Sequence, residues 1–142
     1  MSKQPIVLHG RKVVGGVTEG EALVTRETIS GWGGIHALTG TVIESRHELK
    51  GVSFSGKVLV FPGAKGSSGW SNAFHMAKIA GKAPIAMLYT VNTTKVALGA
   101  VVMRIPTLTD LDRNPFELIE TGDWVKVDAD AGRVEIWKGG RP

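Results

Sequence analysis

The segment from Lys57 to Thr90 constrains the fold more than any other part of the sequence, because two strand-like runs enclose a helical pattern. It begins with the apolar run KVLVFPG and ends with PIAMLYT, and both runs are typical of strands buried on both faces. Between them, apolar residues recur at helical spacing. They are Trp70, Ala73, Phe74, Ala77 and Ala80. The segment therefore predicts a βαβ unit with two parallel strands.

The remainder of the chain predicts further strands and one more helix. Short strands are expected at Val13–Val17 and Glu21–Thr25, separated by a turn at Thr-Glu-Gly. TTKVALGAVVMR predicts a helix that a threonine caps and that other elements enclose, because it is almost entirely apolar. Alternating residues at Asp123–Asp128 and Arg133–Trp137 predict a hairpin with DADAG as its turn. Residues 1–142 are thus expected to form one α/β domain.

Composition excludes several kinds of function. The 142 residues contain no cysteine, which removes disulfides, thiolate metal sites and a cysteine nucleophile. The four histidines lack metal-type spacing, so no metal site is expected in this chain. Basic residues outnumber acidic ones by 17 to 13, but they are scattered and few aromatics accompany them, so no nucleic-acid partner is expected. The sequence lacks the long apolar run that would predict a signal peptide or a membrane span, so a cytoplasmic location is expected.

The sequence GAKGSSG joins the first strand of the βαβ unit to its helix. Backbone N–H groups at a helix start have no intrahelical partner and lie at the positive end of the helix dipole. Gly66, Ser67 and Ser68 could therefore cap the helix, hold an anion, or present an activated hydroxyl. On these residues alone, a helix cap is the favoured interpretation. The spacing matches neither a Walker A loop nor a nucleophile elbow.

A second candidate is the loop SGWGG, from Ser30 to Gly34. It presents the flat indole of Trp32 between glycines, which allow a ligand to approach the backbone closely. An ordinary glycine loop, with Trp32 filling the edge of the core, is an equally good interpretation. Taken alone, these residues indicate one anion-binding corner and one glycine loop, without a self-sufficient active site.

Taken together, these motifs resemble the small, swivelling subunit of the aconitase X family. The similarity runs from about Val13 to Ile136 and depends on the order and spacing of several segments. They are SGWGG, GKVLVFPGAKGSS, GKAPIAMLYT, ALGAVVMRIPTL and IETGDWVKVDADAGRVEI. The resemblance implies a swivelling β/β/α domain that closes over a large subunit in a heterodimer or a larger complex. It also implies a hydro-lyase that dehydrates a small hydroxy acid, with iron or an iron–sulfur centre held by the large subunit.

The resemblance also implies roles for individual residues. The corresponding loop of the wider aconitase superfamily reads Gly-Ser-Ser-Arg-Glu-His, and its first serine removes the substrate proton while its arginine grips a carboxylate. Ser67 is thereby the expected base. This chain has Gly69-Trp70-Ser71 in place of Arg-Glu-His, so citrate and isocitrate are not expected as substrates. The expected substrate-binding residues are Lys65, Gly66, Ser68, Ser30, Trp32, Gly33 and Gly34.

Two substrates occur in the family, and a non-catalytic function is a third alternative. GAKGSSGWS and DWVKVDADAG look more like the bacterial two-subunit form, which favours cis-3-hydroxy-L-proline. Mevalonate 5-phosphate, the substrate of archaeal members, is the second candidate, because a phosphate-binding loop would need more cations than Lys65 alone. The remaining alternative is an anion-binding module without activity, in which Ser67 and Ser68 only cap the helix.

Overall fold

A computed structural model of the chain describes residues 4–66, 69–91 and 93–142. The strands are β1 (Ile6–His9), β2 (Arg11–Val14), β3 (Val17–Val24), β4 (Ile29–Ser30), β5 (Ile35–His36), β6 (Thr41–Val42), β7 (Val58–Phe61), β8 (Ala64–Lys65), β9 (Ala86–Tyr89), β10 (Thr107–Thr109), β11 (Trp124–Asp128) and β12 (Arg133–Trp137). The helices are α1 (Trp70–Ile79), α2 (Thr94–Met103) and α3 (Pro115–Leu118).

Eight of these strands form one mixed sheet in the order β1-β12-β11-β3-β7-β9-β10-β2. Its centre, from β3 to β10, is parallel, while the flanking pairs are antiparallel. Side chains alternate between two hydrophobic clusters, one on each face. Leu59 and Phe61 pack with α1 and α2, whereas Val58 and Val60 pack with residues of β11 and β12. The resulting mixed α/β architecture agrees with the predicted fold class.

The predicted βαβ unit is confirmed. β7 and β9 pair in parallel from Val58↔Ala86 to Phe61↔Tyr89, and every residue of both strands is buried. The helix between them is α1, which buries the face carrying Trp70, Ala73, Phe74 and Ala77. The hairpin formed by β11 and β12 is also confirmed, with the bounds Trp124–Asp128 and Arg133–Trp137.

The predicted turn at Thr-Glu-Gly is wrong, because β3 continues through it. Its first part pairs with β11, from Val17↔Asp128 to Glu21↔Trp124, and its last part pairs with β7. Gly20 lies inside this strand because Ile85 packs over it. A Cβ at position 20 would lie only 2.6 Å from Ile85 Cδ1. The glycine reflects close packing here and does not mark a chain reversal.

Two expectations about α2 are also wrong. Thr93 stands at its N-cap position, but the side chain makes no capping hydrogen bond, and its buried Oγ1 has no partner among the described residues. The helix is also not enclosed, since Leu98 is 50% and Val101 55% exposed. A helix lying on one face of a sheet buries only one stripe of side chains, even when its other side is apolar.

The described helices are short. Within the described ranges, none is long and apolar enough to cross a membrane.

Candidate functional site

The candidate site lies where β7 and β9 end and where α1 and α2 begin. The two loops touch, because the amide of Val91 donates a hydrogen bond of 2.8 Å to the carbonyl of Pro62. Gly63 has a φ of 152°, and a Cβ there would lie 3.2 Å from the carbonyl oxygen of Val91. The carboxyl ends of neighbouring parallel strands are a common position for ligand sites in α/β proteins.

The strands β4 and β8 bring the SGWGG loop to this corner. They pair in parallel, with Ile29 opposite Ala64 and Ser30 opposite Lys65. The amide of Ile29 also donates a hydrogen bond of 3.1 Å to the carbonyl of Gly63. Two candidate residues that are distant in sequence, Ser30 and Lys65, therefore lie side by side.

Glu44 joins Ser30 to Lys65, a role that no sequence pattern predicts. One carboxylate oxygen accepts a 3.1 Å hydrogen bond from the amide of Ser30, and the other accepts a 2.5 Å bond from the Lys65 ammonium. Burial raises the pKa of Glu44. The hydrogen bonds from Lys65 and Ser30 and the charge of Lys65 lower this pKa by more than burial raises it, so the net shift is downward. Glu44 is therefore ionised at neutral pH.

Trp32 lies over the start of α1. Its indole is 56% exposed and rests against the backbone of Gly69, where an added Cβ would be 1.9 Å from Trp32 Cδ1. Gly69 is the N-cap residue of α1, so the N-cap position itself is not occupied by a serine. Whether Ser67 or Ser68 caps the helix from the preceding residues lies outside the described part of the chain.

Trp70 has a structural position in this corner. It is 1% exposed, and its Nε1 donates a hydrogen bond of 2.9 Å to the carbonyl of Ile29. Its ring stacks on Phe74, with the ring centres 4.2 Å apart. Gly31 packs directly against the Trp70 backbone. Trp70 thus links α1 to the loop before SGWGG and does not point at a ligand.

A second cation, Lys95, reaches the corner from the first turn of α2. Its ammonium donates a hydrogen bond to the carbonyl of Gly66. Gly66 has a φ of 88°, a conformation that favours glycine. Lys95 was not identified as a site residue from the sequence. One signal was present, because a cation in the first turn of a helix is unfavourable to the helix dipole, and local helix energetics therefore do not explain a lysine at this position.

The predicted site residues do not all have the same environment. Ser30, Trp32, Lys65 and Gly66 lie around the corner just described. Gly33 is exposed, and none of the described residues comes within 4 Å of an added Cβ there beyond its own chain neighbours, whereas Gly34 is buried against Ser30. Ser67 and Ser68 lie outside the described residues.

The charges at the corner are unequal. Lys65 is neutralised by Glu44, whereas Lys95 binds an uncharged carbonyl and forms no ion pair within the described ranges. No group of three or more His, Cys, Asp or Glu side chains among those residues could hold a metal ion. The corner therefore suits an anion better than a metal.

A groove of about 570 Å³ lies at the opposite end of the sheet. Its lining includes Lys78, in the last turn of α1, and Arg104, the C-cap residue of α2. Cations are favourable at helix C-termini because the dipole is negative there. The positions of these two side chains are therefore explained by helix electrostatics alone.

Comparison with known proteins identifies relatives over almost the whole chain. The model of the aconitase X swivel domain matches residues 7–136. The phosphomevalonate dehydratase small subunit of Archaeoglobus fulgidus is 44% identical, covering 89% of this chain and 95% of that protein. The protein of the same name from Methanosarcina acetivorans is 40% identical, covering 94% and 93%.

A solved structure gives the same relationship. The crystal structure of Thermococcus kodakaraensis aconitase X in its holo-form matches with a TM-score of 0.87 and 41% identity, covering 94% of this chain and 99% of that one. Fold, length and sequence thus agree with the motifs discussed above. The chain belongs to the aconitase X swivel domain family and is the small subunit of an aconitase X-type dehydratase.

Proposed function

We propose that this chain is the small subunit of a phosphomevalonate dehydratase, which removes water from mevalonate 5-phosphate together with a large subunit. The observation that carries the proposal is the near full-length similarity, at 40% and 44% identity, to small subunits of that name. These names favour the second substrate candidate over cis-3-hydroxy-L-proline, which two short segments had favoured. They also favour an enzyme subunit over a non-catalytic module.

The charge of the corner supports a phosphorylated substrate. The argument against phosphate was that Lys65 stood alone in the sequence. Lys95 supplies a second cation at Gly66, and no carboxylate among the described residues pairs with it. Phosphate groups are bound well where charge-assisted hydrogen bonds are available.

The proposed base is Ser67, which directly follows Gly66 in the chain. In the reaction, the base takes a proton from the carbon next to the substrate carboxylate. The hydroxyl on the following carbon leaves and is protonated to water, and a carbon–carbon double bond forms between the two. A serine hydroxyl is a weak base until ionised, so nearby donors must lower its pKa. The helix that begins at Trp70 has its positive end toward this loop.

The metal of the reaction is proposed to lie in the large subunit. The sequence has no cysteine, and the described residues hold no group of metal-type ligands. An iron or iron–sulfur centre held by the partner would act as a Lewis acid on the leaving hydroxyl. The small subunit would then supply the base and the contacts to the anionic substrate, in a heterodimer or a larger complex.

Assay of the reconstituted complex tests the substrate. The two subunits, purified together, are given mevalonate 5-phosphate and cis-3-hydroxy-L-proline in separate reactions, and loss of water is followed by mass spectrometry. We expect turnover of mevalonate 5-phosphate only. Turnover of hydroxyproline alone would overturn the proposal, and the small subunit without its partner serves as the blank.

Ser67→Ala tests the base. We expect turnover to fall by at least about 10³-fold, because the proton acceptor is lost, while assembly and melting temperature stay unchanged. Ser45→Ala is the matched control, since Ser45 is an exposed turn residue. Activity of the purified Ser67→Ala complex close to wild type would show that another group takes the proton.

A further inference from the structure

We propose that Lys95 recognises the phosphoryl group of the substrate and is a specificity-determining residue of this subunit. The inference rests on the proposed function, because it names the phosphate of mevalonate 5-phosphate as the group that is bound. It goes beyond that function by assigning the phosphate to one side chain of the swivel domain.

Lys95 contacts the loop that carries the proposed base. Lys95 belongs to α2, yet its ammonium contacts the carbonyl of Gly66, which is 29 residues earlier in the chain. Gly66 is the residue before the proposed base. Lys95 therefore binds the loop one residue before the proposed base.

The two lysines of the corner differ in their partners. Lys65 makes a 2.5 Å ion pair with Glu44, whose carboxylate is only 13% exposed. An anionic substrate that bound Lys65 would have to compete with that carboxylate. Among the described residues, Lys95 donates to one neutral carbonyl. An ammonium has three donors, so it can keep this bond and still bind phosphate. Lys95 therefore provides the net positive charge of the corner.

The position of Lys95 in α2 has an energetic cost. A lysine in the first turn of a helix faces the positive end of the helix dipole, which is unfavourable by a fraction of a kcal/mol. The first turn of α2 contains no acidic residue, so no neighbouring side chain compensates the charge of Lys95. A bound phosphate would provide it, since both the ammonium and the free N–H groups of α2 attract an anion.

Lys95→Met and Lys95→Gln, in the complete two-subunit complex, test the inference with mevalonate 5-phosphate as substrate. We expect KM to rise about tenfold or more and kcat to change by less than about threefold, because a charge-assisted hydrogen bond to a non-reacting group is lost. Inorganic phosphate should inhibit the wild-type complex competitively, and this inhibition should weaken by a similar factor in both variants. Lys95→Arg should retain most of the affinity for substrate and phosphate.

Lys78→Met is the matched control. Lys78 is also an exposed lysine of a helix, but it lies roughly 12 Å along α1 from the corner. The KM of the Lys78→Met complex and its inhibition by phosphate should equal those of the wild-type complex. Equal melting temperatures of all variants would exclude a loss of folding as the cause.

The outcomes separate the inference from the function on which it rests. Wild-type KM and phosphate inhibition in Lys95→Met and Lys95→Gln, with an active wild-type complex, would overturn the inference and leave the proposed function intact. A wild-type complex without activity on mevalonate 5-phosphate would overturn both. A fall in kcat with unchanged KM in the Lys95 variants would also overturn the inference about Lys95, because this result would assign Lys95 to the reaction step.

Discussion

Glu44 is the residue on which the arrangement of the corner depends most directly. It is held by the Ser30 amide and the Lys65 ammonium, and burial, these hydrogen bonds and the lysine charge together leave its pKa below the ordinary value of 4.5. A carboxyl group with a lowered pKa in the folded state stabilises the fold above its unfolded pKa. That contribution is lost as the pH falls through 4.5 toward the folded-state pKa.

Glu44→Gln should therefore lower stability at neutral pH by about 1 kcal/mol, because a charge-assisted hydrogen bond becomes a neutral one. The same variant should lose less stability than the wild type when the pH is lowered below 4.5. Urea unfolding at a series of pH values measures both effects. Glu117→Gln is the control, since Glu117 is exposed and lies far along the chain in α3. If the free energies of unfolding of wild type and Glu44→Gln changed in parallel with pH, the lowered pKa of Glu44 would be contradicted.

At the scale of elements, α1 and α2 form one unit above the central strands. Their contact is built around Trp70, whose ring fills the space beside Gly99. A Cβ at Gly99 would lie 2.3 Å from Trp70 Cζ3. Glycine in a helix normally costs about 1 kcal/mol relative to alanine, so its presence here reflects this close approach.

Gly99→Ala should destabilise the protein by about 1–3 kcal/mol, although the same change stabilises most helices. The sign reverses because the ring of Trp70 cannot move aside within a packed core. Thermal unfolding measures the change, and Val101→Ala on the exposed side of α2 is the control, expected within about 0.5 kcal/mol. A higher melting temperature for Gly99→Ala would show that the two helices can separate without cost.

The elements differ in how well the sequence predicted them. The βαβ unit was predictable because its buried strands and its helical face are local patterns. The continuous strand β3 was not, because it is created by pairing with β11, about a hundred residues away, which overrides the local turn signal of Gly20. The capping role predicted for Thr93 is wrong for a related reason, since the packing around this residue leaves its hydroxyl without a hydrogen-bond partner in the part of the chain that the structure describes.

The candidate site was predictable only in part. Ser30, Trp32, Lys65 and Gly66 were named from glycine-loop patterns and from the family resemblance. Glu44 and Lys95 were missed because each reaches the corner through a tertiary contact, to residues 21 and 29 positions away in the chain. No local periodicity reports such a contact.

At the scale of the whole molecule, the described residues contain no group of His, Cys, Asp or Glu side chains that could hold a metal ion, and we propose that the metal lies in the large subunit. Removal of metal from the isolated small subunit with an iron chelator should therefore leave its melting temperature unchanged. The same treatment of the two-subunit complex should abolish turnover, because the proposed Lewis acid is lost. Elemental analysis of each subunit checks the distribution of iron. Stoichiometric iron in the isolated small subunit would contradict the proposal that the large subunit holds the metal.

The contact between Trp32 and Gly69 has a consequence for how this loop can change. By the family resemblance, position 69 corresponds to the arginine of the wider aconitase superfamily, and here an added Cβ would lie 1.9 Å from Cδ1 of Trp32. An arginine cannot be introduced as a single substitution without displacing the tryptophan. The two positions are therefore expected to be coupled: an arginine at position 69 can be accommodated only if the exposed indole of Trp32 swings away or a smaller residue replaces it.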